Sequence, residues 1–261
     1  MLEGVRVKIQ YCIFTLTPLF LIIKTSVSTS NQISSELQEL ANPRIAEHSQ
    51  RFFKTGKGEY GVGDKFLGIR VPVLRMTAKK HKDISLSEAL KLLKSKWHEE
   101  RLTALLLLVG LFQRGPEQEQ KKVYEAYLKH TRYINNWDLV DCSSHLIVGP
   151  YLYGKSQVTL NKLARSKNLW ERRIAMMATY HHIRQDSFNQ TLKFAKQFLK
   201  DKEDLIHKST GWMLRELGKR SKKLEVEFLN EHYRNMPRTM LHYAIEKFPE
   251  RERQRYLKGM I

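Results

Sequence analysis

Four side chains in this 261-residue chain have the types and spacing to do chemistry: Trp137, Asp141, Arg173 and Trp212. Asp141 follows Trp137 by four residues, so on a helix its carboxylate sits one turn from the indole on the same face. Asn135 or Asn136 just before them suits a helix N-cap, and Asp138 suits the first turn, where the helix dipole favours an anion. Neither rule accounts for Asp141, which lies deeper in an otherwise apolar segment, Trp137-Asp138-Leu139-Val140-Asp141. Arg173 sits in Trp170-Glu171-Arg172-Arg173 and Trp212 in Gly211-Trp212-Met213, 36 and then 39 residues further on. An indole face attracts cations and a guanidinium is a planar fork for anions. A competing reading, on periodicity alone, makes both tryptophans core residues and pairs Asp141 with a lysine.

The elements that must position these residues are helices. Apolar side chains recur at three and four: Leu102, Leu105, Leu106, Val109; then Ile174, Met177, Ala178; then Met213, Leu214, Leu217; then Met240, Leu241, Ala244, Ile245. No alternating strand pattern appears, and the connectors are short and polar, as at Gln113-Arg114-Gly115-Pro116. Successive helices start with a basic residue followed by an apolar run, at Arg101, Arg173, Lys208 and Arg238. The steps from Arg101 to Arg173 and on to Lys208 are 72 and 35 residues, close to two repeats and one. Helix pairs at a period of about 35–45 residues indicate an all-α, HEAT-like solenoid. Such stacks curve, and equivalent helices line the concave face. Trp137, Asp141, Arg173 and Trp212 would then converge on one concave patch, and the basic positions would form a stripe able to track phosphates.

The totals agree. Lys plus Arg number 46 against 27 Asp plus Glu, giving +19, a field suited to an anionic partner, most commonly nucleic acid. With 41% hydrophobic and 28% charged residues the chain is globular and not disordered. Two cysteines, Cys12 and Cys142, make neither a disulfide framework nor a metal-ligand spacing, which points to a reducing cytoplasm. The first 30 residues differ from the rest. Residues 11–23, YCIFTLTPLFLII, are uncharged but too short to span a bilayer and contain Pro18. They resemble a weak signal peptide; an extension outside the fold is the preferred reading, with the folded domain at 31–261.

Three patterns carry little. Gly56-Lys57-Gly58-Glu59-Tyr60-Gly61 spells a dinucleotide fingerprint, but a helical segment precedes it and a loop follows, so it reads as a flexible loop. His181 and His182 are adjacent and point about 100° apart on a helix, so they cannot chelate together. Lys219-Arg220-Ser221-Lys222-Lys223 reads as a solvated basic turn.

The segments NNWDLVD, WERRIA, IHKSTGWMLRELGKR and MPRTMLHYAIEKFPE, in that order, resemble the AlkD-type DNA alkylation repair family, the HEAT-like DNA glycosylases. The resemblance spans roughly residues 33–257. It implies a monofunctional glycosylase that removes N3- or N7-alkylated, cationic purines from duplex DNA without flipping the base, with no metal or organic cofactor. By resemblance the catalytic aspartate falls on Asp141, its indole partners on Trp137 and Trp212, and a phosphate-gripping arginine on Arg173. Arg101, Lys208 and Arg238 are the further DNA-binding candidates from the basic stripe. Some family members carry aromatic residues just before the Gly-Trp pair, where this chain has Asp204-Leu205. The rival reading is a non-catalytic HEAT-like scaffold for nucleic acid or protein. A monomer with no membrane contact is expected.

Overall fold

The computed structural model describes residues 28–261. The apolar run at 11–23, its signal-like reading and Cys12 lie outside the described residues. The first half of the fold contains α1 (Ser30–Glu39), α2 (Pro43–Phe52), α3 (Val71–Lys80), α4 (Leu86–Leu93), α5 (His98–Arg114), α6 (Glu117–Lys129), α7 (Trp137–Asp141) and α8 (Ser144–Leu152). The second half contains α9 (Val158–Ala164), α10 (Leu169–Arg184), α11 (Asn189–Phe198), α12 (Asp204–Arg220), α13 (Lys222–His232), α14 (Arg238–Ala244) and α15 (Glu250–Leu257). Among the described residues no strand forms, and a single isolated bridge joins Lys65 to Trp97. No described helix is long and apolar enough to cross a membrane.

The helices start where side chains can accept their free N–H groups. Thr29 makes a capping box with Gln32, Asn42 caps α2 ahead of Pro43, Ser85 caps α4 and Asn168 caps α10. The first described helix therefore begins at Ser30, and Ser28 already meets the His81 ring at 2.9 Å.

The helical periodicity becomes two layers of antiparallel helices, the all-α helical-repeat fold. Helices α8, α10, α12 and α14 pack side by side in one row, with α9, α11 and α13 behind them. The row buries Ile174 and Met177 of α10, Met213 and Leu217 of α12, and Met240 and Leu241 of α14. Two helix-interior glycines set its spacing. A Cβ at Gly149 would lie 2.4 Å from the Ala178 carbonyl oxygen, and one at Gly211 would lie 2.3 Å from that of Met240. Only glycine permits such backbone contact, at a helix cost of about 0.5–1 kcal/mol. Gly211 thus seats α14 tightly on the turn of α12 that carries Trp212.

The segment between α2 and α3 is a loop, as its glycines imply, and its far end is tied to α5. Glu99, buried on α5, accepts backbone N–H bonds from Leu67, Gly68 and Ile69 at 2.8, 2.7 and 3.2 Å. Gly61 N–H bonds to the Lys54 carbonyl at 3.0 Å, and Gly58 and Gly63 take positive φ, which glycine adopts without strain.

Candidate active site

The short helix α7 is held on its inner side by a buried chain of charges. Asn136 caps it, accepting the Trp137 N–H at 2.8 Å, and donates its own amide to Asp64 at 3.3 Å. Asp138 meets His98 Nε2 at 2.7 Å, His98 Nδ1 meets Asp64 at 2.9 Å, and Asp64 takes the Arg101 guanidinium at 2.5 Å. Burial would lower the His98 pKa, but the Asp138 and Asp64 carboxylates outweigh it and raise it to about 9. Burial likewise opposes ionisation of Asp64, yet His98 and Arg101 hold its pKa below the ordinary value.

The outer side of α7 faces a cavity of about 520 Å³. Trp137 lines it, stacked on Phe53 with centroids 5.3 Å apart and with Phe52 edge-on at 6.0 Å. Asp141, its side chain 14% exposed, receives a two-pronged grip from Arg173: Nε at 2.9 Å and a terminal nitrogen at 2.7 Å. The other terminal nitrogen of Arg173 bonds to the Leu205 carbonyl. Burial pushes the Asp141 carboxyl above its usual range; Arg173 pulls it back and Asp138 adds to the rise. From α12 and α14 come Trp212 and Tyr243, and from the glycine-rich loop come Lys54 and Tyr60. Trp212 donates its indole N–H to Glu216 at 3.2 Å, which fixes the ring. Burial pushes the Tyr60 hydroxyl up, while the Trp137 indole and the Lys208 ammonium oppose the rise.

Trp137, Asp141, Arg173 and Trp212 are therefore brought together, with both indoles partly exposed at a cavity wall rather than sealed in the core. The lysine partner for Asp141 does not occur; an arginine takes that place. The basic stripe changes most. The expectation that Arg173 grips a phosphate does not fit its placement, because it is 4% exposed and its guanidinium is committed to Asp141 and Leu205. Arg101, also 4% exposed, is spent on Asp64 and the Ser95 carbonyl, away from the cavity. Lys208 does line the cavity, paired with Asp204 at 2.8 Å. Arg238 is exposed but bonds to the Leu257 carbonyl at 3.1 Å and does not line the cavity. Solenoid periodicity places equivalent residues in register; it does not say which of them find a buried acid.

Sequence reasoning missed Tyr60, Lys54, Phe52 and Tyr243. The signal for two of them, Phe52 and Tyr60, is in the sequence, since aromatic residues at 52, 53 and 60 bracket Gly56 and Gly58 of the glycine-rich segment. Cys142, beside Asp141, is not a nucleophile in waiting. Burial pushes its thiol far up, and its Sγ donates to the Leu139 carbonyl at 3.4 Å. Among the described residues no group of histidine, cysteine and acid side chains is arranged to hold a metal ion.

Family comparison decides the identity of this arrangement at a coarse level. A match to the DNA alkylation repair enzyme family covers residues 33–248. The chain belongs to that family. Its match takes in α7, the Arg173 segment and the Gly211-Trp212 pair, so the whole candidate site lies within the family region. Among solved structures, the fold is similar to a protein described as a predicted DNA alkylation repair enzyme from Enterococcus faecalis. That pair shares 17% identity over 80% of this chain and 97% of the other, with a TM-score of 0.63. A second similar structure, smu.31 from Streptococcus mutans UA159, is 14% identical over 85% and 99%, with a TM-score of 0.49. Among curated proteins none matches the chain.

Proposed function

We propose that this family member is a monofunctional DNA glycosylase that excises N3- or N7-alkylated purines from duplex DNA. One observation carries the reading: a carboxylate, Asp141, fixed by a two-pronged guanidinium in a cavity walled by Trp137 and Trp212. Alkylation leaves the purine cationic. When the C1′–N bond breaks, its electron pair goes to the base, which departs neutral, and positive charge passes to the deoxyribose. Asp141 stabilises that oxocarbenium-like sugar electrostatically, in a site where water competes poorly. Water then adds at C1′ and loses a proton, which the same carboxylate accepts. Arg173 is a positioning residue: it holds the carboxylate in one orientation before the substrate arrives. The indoles pack against the sugar and favour cationic character at their faces. Chemistry that relies on a pre-activated leaving group needs no lysine Schiff base, so the product is an intact abasic strand.

The non-extruding route rests on the family resemblance. Its consequence is tolerance of bulky N-alkyl groups, which a closed base pocket would refuse. The central test is release of free 7-methylguanine or 3-methyladenine from methylated duplex DNA, by the wild-type protein and by Asp141→Asn. Release by the wild type and its loss in the variant are expected. No release by the wild type would overturn the reading in favour of a non-catalytic DNA-binding scaffold.

A further inference from the structure

With Arg101 and Arg173 buried in ion pairs, the free positive charge of the protein must lie elsewhere. A second cleft, of about 500 Å³, opens between α3, α5 and the α7–α8 corner. Arg75, Lys79 and Lys82 enter it from α3 and the turn after it, and Arg114 from the end of α5. All four are exposed, and among the described residues none has an acidic partner, although lysines and arginines elsewhere are laced into ion pairs. Arg114 is set in place by a bond from its guanidinium to the Lys82 carbonyl at 2.7 Å. Gly110, one turn before Arg114, also lines the cleft and leaves room for the Arg114 guanidinium, whose terminal nitrogen would lie 2.8 Å from a Cβ there.

Asp141 lines both the aromatic cavity and this cleft. The two sides differ in charge. In the aromatic cavity three carboxylates (Asp141, Glu203, Asp204) face three cations (Lys54, Arg173, Lys208), and Arg173 and Lys208 are already paired. In the basic cleft four unpaired cations face Asp141 alone. A polyanion is repelled or ignored by the first and drawn into the second.

We infer that the cleft of Arg75, Lys79, Lys82 and Arg114 is the phosphate track for the lesion-bearing DNA strand, placing its backbone on the α3–α5 side of Asp141 and the alkylated nucleoside on the aromatic side. This rests on the glycosylase reading for the nature of the lesion, but the track itself needs only duplex binding. It also resolves a conflict in that reading. An anion in the active site weakens phosphate binding unless the phosphates lie to one side of it, against cations that the acid does not neutralise.

The test compares two triple variants that remove equal charge. Arg75→Ala/Lys79→Ala/Lys82→Ala removes three of the four cations of the cleft; Lys193→Ala/Lys196→Ala/Lys200→Ala removes three exposed lysines on and just after α11. Binding of a short fluorescent DNA duplex carrying an abasic-site analogue is measured against salt, with melting curves to confirm folding. The cleft variant is expected to bind at least about tenfold more weakly and to flatten the salt slope by about 2–3, near 0.9 per lost phosphate contact. The α11 variant keeps the wild-type slope. Replacing phosphates beside the lesion with neutral methylphosphonates should weaken the wild type and add nothing to the cleft variant. Equal losses in the two triples would overturn the track in favour of a diffuse field, and so would tighter binding of a matched RNA duplex. Duplex binding with the expected slopes but no base release removes the glycosylase reading and leaves the track standing. A wild-type protein that does not bind the duplex overturns both.

Discussion

Asp138 and Asp141 stand on one short helix, one turn apart, yet face different worlds. Asp138 turns inward to His98, whose other nitrogen is held by Asp64; the His98 and Asp64 side chains are each 2% exposed, while Asp138 itself keeps 16%, so what separates it from Asp141 is its partners and not its exposure. Asp141 turns outward to Arg173 at a cavity mouth and keeps 14% of its surface. Each oxygen of the inner acid has a protein partner, His98 Nε2 or the Leu139 N–H, and the His98 bond bolts α7 onto α5. The outer acid has one cation and an open side, which leaves its charge available to a ligand. The sealed chain trades desolvation for position, and the open pair sacrifices stability to keep a charge near solvent.

The largest expected effect falls on the sealed side. Asp64→Asn removes the charge between His98 and Arg101, leaves the buried Arg101 without an acid and leaves His98 with Asp138 alone, so unfolding free energy should drop by about 3–5 kcal/mol. Urea denaturation with an unchanged slope checks it. A loss under about 1 kcal/mol would mean that the inner network is not what anchors α7.

Asp141→Asn should reverse the pattern. Excision should slow by roughly 10²–10³-fold, the scale for one electrostatic stabiliser. Removing its charge leaves the buried Arg173 guanidinium without an acid, a loss softened because burial already raises this carboxyl, so the melting temperature should fall by less than in Asp64→Asn, while duplex binding stays equal or tightens. The pH profile carries the same sign: wild-type excision should fall as pH drops through a midpoint above the ordinary carboxylate range, since the protonated acid cannot stabilise the sugar. Wild-type-like excision by the Asn variant would remove Asp141 from the chemistry.

The sealed chain also predicts an alkaline limb in stability. His98 titrates at about 9 when folded and at about 6.5 when unfolded. Its contribution is therefore full below about pH 6.5 and lost as pH rises through about 9, on the order of 3 kcal/mol in all. Melting temperatures followed across that window should decline in the wild type and stay flatter in His98→Gln, measured from its lower starting point.

These two acids also mark the boundary of what the sequence could say. The helices, their two-layer repeat and the gathering of Trp137, Asp141, Arg173 and Trp212 follow from periodicity, because register along a solenoid is a local property summed over repeats. The Asn136 cap and the shared face of Trp137 and Asp141 are likewise local. Ion pairing is not. Arg101 and Arg173 look alike in sequence, each early in an apolar helix, and both were expected on a phosphate. Each instead found an acid brought by another element, Asp64 from a loop and Asp141 from α7. The net charge of +19 announced an anionic partner, but its location depended on which cations those acids left free. Tyr60 was hidden for a related reason, since its loop has no period and is held by Glu99 from a different element. Asp138 looked fully explained by the helix dipole, so its bond to His98 went unsought.

The smallest effect belongs to Trp212, and it sharpens the difference between an open site and a sealed one. The ring is partly exposed but packs on the core, so truncating it to Ala removes part of that packing, while Glu216 keeps its bonds from Lys219 at 2.7 and 2.9 Å after the indole N–H is gone. Stability should therefore fall by about 1–2 kcal/mol, short of the roughly 3–5 kcal/mol of a fully buried tryptophan. What is lost is an aromatic face beside the developing cation, worth about 0.5–2 kcal/mol, or roughly two- to thirtyfold in excision rate. Trp212→Phe separates the two contributions, because it keeps a face and discards the N–H. If the face matters, Phe should recover most of the rate and Ala should not. If the Glu216 bond matters instead, Phe and Ala should fail alike. A melting temperature that drops steeply in both would place Trp212 with the sealed residues, and the contrast between the two sides of the site would not extend to α12.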